Sequence, residues 1–120
     1  MKTILLIDDE EAILSVFSMM LEHKGYRVIQ ATSGEAGLEL ARQHAPDLIL
    51  TDLSMPGCGG QAVLTRVRQT PELAATPVVL MTGDEGSALS PANGERGADG
   101  ILVKPISMDA LVKCVEAQLG

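Results

Sequence analysis

The spacing of apolar residues changes repeatedly along the chain, and each change marks an element. Residues 3–7 form a short apolar run, as a strand does when both of its faces are buried. Helical spacing follows: Ile13, Val16, Phe17, Met20 and Leu21 share one stripe, and Gly25 stops the helix. Residues 26–31 are strand-like. Ser33 can cap a second helix with Leu38 and Ala41 inward, and Pro46 marks its exit. Residues 47–51 contain the buried-strand run Leu48-Ile49-Leu50, and residues 55–60, with Pro56 and three glycines, form a loop. Residues 61–69 are helical with Val63, Leu64 and Val67 inward. Residues 77–81 and 100–103 are the fourth and fifth strands. Ser107 then caps a last helix with Met108, Leu111, Val112, Val115 and Leu119 as its core stripe.

This is a strand–helix alternation repeated five times. It predicts an α/β domain spanning residues 1–120: one five-stranded parallel sheet, doubly wound, with about five helices and right-handed crossovers. In such sheets the active crevice lies at the carboxyl ends of the strands. Asp8 and Asp9 follow strand 1, Asp52 strand 3, Thr82 strand 4, and Lys104 strand 5. With the flavodoxin-like strand order 2-1-3-4-5, these strands are consecutive neighbours about 4.8 Å apart, and the named side chains converge.

Composition narrows the picture. Only two aromatics occur, Phe17 and Tyr26, so the core must be aliphatic. The formal charge of −7 disfavours binding to nucleic acid or to an anionic membrane, both of which need Lys and Arg. No apolar run approaches the ~18–20 residues of a membrane span, and Asp8-Asp9-Glu10-Glu11 cuts the first apolar run too short for a signal peptide. Cys58 and Cys114 lack metal-type spacing and read as free thiols in a reducing cytoplasm. His23 and His44 sit near helix ends as charge complements. Cys58, in the loop beside Asp52, reads as incidental, with a redox-sensitive thiol as the alternative.

The converging groups define a chemistry. Three carboxylates repel unless a cation sits among them. Hard oxygen ligands around a small site suit Mg²⁺. A metal-bound carboxylate can accept a phosphoryl group as an aspartyl phosphate, with the metal and Lys104 neutralising the transferring oxygens and Thr82 donating to one of them. Each residue has a plainer reading when taken singly: acids at a helix start, a turn residue before Met55-Pro56-Gly57, a turn threonine, a surface lysine. All of them reaching strand ends together is what the plainer readings do not explain.

The stretches Ile7-Asp8-Asp9-Glu10, Leu50 to Gly57, Met81-Thr82-Gly83 and Val103-Lys104-Pro105 resemble the four signatures of the response-regulator receiver family, in order and at fitting intervals across nearly the whole chain. The resemblance implies a receiver in a two-component phosphorelay, phosphorylated on Asp52 by a histidine kinase or phosphotransfer protein and switching a surface for a downstream effector. It implies Mg²⁺ held directly by Asp9, largely through water by Asp8, by Asp52 and by the backbone carbonyl of Ser54. Thr82 and Lys104 would bind the phosphoryl group, and Lys104-Pro105 would be a cis peptide. Such a protein catalyses its own phosphorylation and dephosphorylation without turning over an independent substrate.

Three rivals compete with this reading. A phosphohydrolase of the haloacid dehalogenase type wants a second acid where Ser54 stands. A flavodoxin-like nucleotide binder wants a glycine- or hydroxyl-rich loop where Asp8-Asp9-Glu10-Glu11 stands. A degenerate receiver serving only as a binding module would not keep the acidic pocket. Two departures from the family pattern lie away from the chemistry. Ile101 occupies a position where many members carry Tyr or Phe. Residues 86–97 hold a proline and three glycines, which disfavours a full helix there; Pro91 better starts a short helix capped by Ser90. We expect phosphorylation to act through that segment, without ring rotation at position 101. Met1-Lys2-Thr3 reads as a native start, and no output domain is visible.

Overall fold

A computed structural model of the chain describes residues 1–55, 57–83 and 97–119. In order these form β1 (Thr3–Ile7), α1 (Glu11–His23), β2 (Arg27–Ala31), α2 (Gly34–His44), β3 (Leu48–Asp52), α3 (Gly60–Gln69), β4 (Val78–Thr82), β5 (Gly100–Val103) and α4 (Met108–Leu119). All five strands pair in parallel, in the order β2-β1-β3-β4-β5. The sheet is therefore the expected doubly wound one. Four helices lie among the described residues; residues 84–96, and with them the short helix expected at Ser90 and Pro91, lie outside these.

Successive side chains of a strand point to opposite faces, and this splits the core into two aliphatic layers. Ile4, Leu6, Leu48, Leu50, Val79 and Met81 face α1 and α4, where they meet Leu14, Phe17, Leu21, Leu111 and Val115. Leu5, Ile7, Ile49, Val78 and Leu80 face α2 and α3, where they meet Leu38, Ala41, Val63, Leu64 and Val67. Burial on both faces is why β1, β3 and β4 read as unbroken apolar runs. The helix ends follow local rules. The Ser33 hydroxyl accepts from the Ala36 N–H at 3.2 Å, and the Ser107 hydroxyl from the Ala110 N–H at 3.0 Å. Past α1, Gly25 takes φ +96, a left-handed conformation that costs glycine nothing.

The structure corrects two inward assignments. Val16 is 52% exposed and Met108 is 55% exposed. The buried stripe of α1 is Leu14, Phe17, Ser18 and Leu21. Apolar residues cover more than half of that helix, so hydropathy alone does not fix its rotation. Ser18 turns inward because its hydroxyl accepts from Gln30 Nε2 at 2.8 Å. Met108 stands in the first turn of α4, beside Met19, Met20 and Val112 rather than over the sheet. Strands β3 and β4 each run one residue further than expected, so Asp52 and Thr82 are their last residues.

The start of α3 lies hard against the end of β3. A Cβ on Gly60 would stand 2.6 Å from the Asp52 carbonyl oxygen and 2.8 Å from Leu53 Cα. Both obstacles are backbone and cannot rotate away. Gly60→Ala should lower stability by roughly 1–3 kcal/mol, read as the urea midpoint. Gly83→Ala, with nothing within 4 Å of the added carbon, should change it by less than about 0.5 kcal/mol.

Candidate functional site

Four strands deliver polar groups to one end of a sheet that is otherwise apolar. Asp8 directly follows β1; it is fully buried, and its N–H donates to the Ala31 carbonyl at 3.1 Å. Asp9 is exposed at the rim. Asp52 ends β3 and Thr82 ends β4, and both are buried. Asp52 pairs with Met81, so Thr82 stands one residue further along the neighbouring strand. Lys104 follows β5, with its N–H on the Thr82 carbonyl at 2.7 Å and a cis peptide to Pro105.

The side chains converge. Carboxylate oxygens of Asp8, Asp9 and Asp52 all lie within 4.8 Å of one another. The Lys104 ammonium stands 3.3 Å from Asp52 Oδ1 and 3.9 Å from Asp8 Oδ2. Two main-chain donors support the acids: the Glu10 N–H reaches Asp8 Oδ1 at 2.9 Å, and the Ser54 N–H reaches Asp52 Oδ1 at 3.3 Å. Sequence reasoning identified neither, because an N–H belongs to nearly every residue and leaves no mark in residue type. The Ser54 side chain itself is exposed.

The charges do not balance. Among the described residues, one ammonium faces three carboxylates, and Asp8 Oδ2 is buried without a hydrogen-bond partner. Burial, then the Asp52 charge, pushes the Asp8 carboxyl above its ordinary range, against the Glu10 N–H and Lys104, which pull it down. An orphaned buried oxygen in an all-oxygen acidic cluster fits a small hard cation, which would satisfy the lone oxygen and relieve the repulsion. Cys58 belongs to a different environment. Burial and the Glu35 charge hold its thiol above the ordinary range, which favours the less reactive protonated form.

A raised carboxyl is strained when ionised, because the unfolded chain loses that proton more readily than the folded one. At neutral pH the ionised Asp8 therefore subtracts from stability in the absence of metal. Asp8→Asn removes this charge and leaves Lys104 its nearer partner, Asp52. In a chelator the variant should denature at a higher urea concentration than the wild type; a lower midpoint would contradict the assignment.

Comparison with known proteins bears on what such a site does. The sequence model for the response regulator receiver domain matches residues 4–116. The transcriptional regulatory protein AfsQ1 of Streptomyces coelicolor is 38% identical over 118 residues, which make up 96% of this chain and 51% of that protein. Protein PilH of Pseudomonas aeruginosa is 33% identical over 119 residues, 99% of this chain and 98% of its own. The chain thus spans about half the length of the first relative and nearly all of the second. The solved structure of chemotaxis protein CheY4 from Vibrio cholerae superimposes with a TM-score of 0.86, at 30% identity and over 99% of both chains.

Proposed function

The chain belongs to the response regulator receiver domain family of two-component signalling, and from that membership we propose that it accepts a phosphoryl group on Asp52 from a histidine kinase or phosphotransfer protein. The observation that carries the reading is the meeting of Asp8, Asp9 and Asp52 within 4.8 Å with Lys104 at 3.3 Å from Asp52. Asp52 is the acceptor because it ends the central strand, flanked by the acids of β1 on one side and by Thr82 on the other.

In the transfer, an Asp52 carboxylate oxygen attacks phosphorus. The new O–P bond forms as the donor's P–N bond breaks, and the electron pair stays on the departing imidazole nitrogen. The Lys104 ammonium offsets charge on the transferring oxygens, and the Thr82 hydroxyl donates a hydrogen bond to one of them. Asp9, Asp52 and the Ser54 main-chain carbonyl would hold Mg²⁺, with Asp8 reaching it largely through water. Bound there, Mg²⁺ supplies positive charge to the phosphoryl oxygens. The chain catalyses only its own phosphorylation and dephosphorylation. With Ser54 where a phosphohydrolase needs its second acid, no independent substrate is turned over. The setting is the cytoplasm, and the output is a changed surface for an effector protein. Among the described residues no helix is long and apolar enough to cross a membrane.

Incubation with acetyl phosphate and Mg²⁺ should add one phosphate to the intact mass, and Asp52→Asn should abolish the addition; a phosphate that survives this substitution would move the acceptor elsewhere. Mg²⁺ alone should stabilise the unphosphorylated protein, by about 1 kcal/mol at a few times the dissociation constant. Asp9→Ala should lose that response, so equal melting shifts in wild type and variant would contradict the ligand assignment.

A further inference from the structure

Two aspartates stand at the end of the sheet remote from the site, and they make the same pair of bonds. The Asp47 N–H donates to the Thr3 carbonyl at 2.8 Å, and Asp47 Oδ2 accepts from the Thr3 N–H at 2.8 Å. These bonds tie the entry of β3 to the start of β1. Asp99 does the same for β5 and β4: its N–H donates to the Val78 carbonyl at 2.8 Å, and its Oδ2 accepts from the Val78 N–H at 2.8 Å. Asp52 follows Asp47, and Lys104 follows Asp99, at the same interval.

The Asp99 junction carries more. Arg68 Nη2 donates to Asp99 Oδ2 at 2.7 Å, an ion pair whose side chains are 2% and 14% exposed. The same guanidinium donates to the carbonyls of Ala74, Thr76 and Gly97 at 3.3, 2.7 and 3.2 Å. Gln118 Nε2 of α4 donates to the Asp99 carbonyl at 3.1 Å. Arg68, near the end of α3, thus gathers the turn that leads to β4 and the chain that enters β5. Its planar fork suits that many acceptors as a single ammonium would not.

The strand held this way is the one that most needs it. Among the described residues β5 is a four-residue edge strand that pairs with β4 alone. β1 and β3, which carry the acids, have a neighbour on each side. A slip of one residue would move Lys104 by about 3.3 Å along the sheet and turn its side chain to the other face. Its ammonium would then lose the 3.3 Å approach to Asp52.

We propose that Arg68 and Asp99 are positioning residues for phosphoryl transfer: from the opposite end of the sheet they fix the register of β5, and so place the Lys104 ammonium on Asp52. The inference rests on Lys104 meeting the phosphoryl group, and it makes a selective demand. The acids sit on β1 and β3, so loosening β5 must impair transfer without weakening the cation site.

The test is a double-mutant cycle on the full chain with acetyl phosphate as donor. Arg68→Met should slow phosphorylation by about tenfold. In a Lys104→Ala background the same change should cost less than about twofold, since the displaced group is already gone. Mg²⁺ affinity of the unphosphorylated protein should not fall in Arg68→Met. If that variant does not fold, Asp99→Asn serves. It keeps an amide oxygen for the Val78 N–H but removes the negative charge that faces Arg68, and it should show a smaller loss with the same dependence on Lys104. Equal losses in both backgrounds, a wild-type rate in the variant, or a parallel fall in Mg²⁺ affinity would each overturn the positioning role while leaving Lys104 its own. A wild-type rate in Lys104→Ala alone would instead overturn the reading of Lys104, and the inference with it.

Discussion

Like charges are forced together at one end of this sheet, and the rest of the molecule serves that constraint. Asp8 and Asp52 are buried beside each other, where each carboxylate gives up hydration and is repelled by its neighbours. A single partly exposed lysine compensates them incompletely, and the lone oxygen of Asp8 records the shortfall. Only a scaffold whose strands cannot move apart keeps such a site assembled. The unbroken aliphatic runs of β1, β3 and β4, covered on both faces, supply that rigidity. The charged end is therefore held together by burial elsewhere.

Much of this is visible in the residues because the fold is regular. A strand buried on both faces must be apolar throughout, so β1, β3 and β4 declare themselves, and the polar residues that end each run, Asp8, Asp52 and Thr82, mark where the crevice begins. The helix caps at Ser33 and Ser107 are readable for the same reason, since a hydroxyl at that place has one job. The errors fall where residue type carries no direction. Val16 and Met108 are apolar yet exposed, because a helix rich in apolar residues leaves its rotation to the packing. Asp47, the first residue of the expected third strand, and Asp99, just before the fifth, show nothing special by residue type alone. Only the strand pairing reveals that each clasps its neighbour through main chain and side chain together. A register, unlike a motif, belongs to two segments at once and cannot be read from either alone.

The same pairing supports the residues of the site unequally. The acids come from β1 and β3, which are hydrogen-bonded on both sides. Thr82 and Lys104 come from β4 and β5, and β5 is an edge whose Ile101 and Val103 remain 41% and 38% exposed. The carboxylates therefore stand on strands held from both sides. Thr82 shares the two-sided support, since β4 pairs with both β3 and β5, whereas Lys104 follows an edge strand whose movement breaks fewer bonds. Position 101 on that edge carries an aliphatic side chain and no ring.

This inequality also explains why the edge strand is clasped at both ends. At one end the Lys104 N–H bonds to the Thr82 carbonyl; at the other, Asp99 and Arg68 lock the entry. Between them lie only four residues. A strand so short has few ladder bonds to resist sliding, and with alternating side chains a one-residue slip would turn Lys104 to the other face of the sheet. The buried ion pair need not add much net stability to be useful, since replacing such a pair with apolar residues is often neutral. Its value lies in what it forbids. An arginine that must satisfy four separate oxygens at once has one acceptable arrangement of the chain around it, and in that arrangement the lysine arrives at the aspartate.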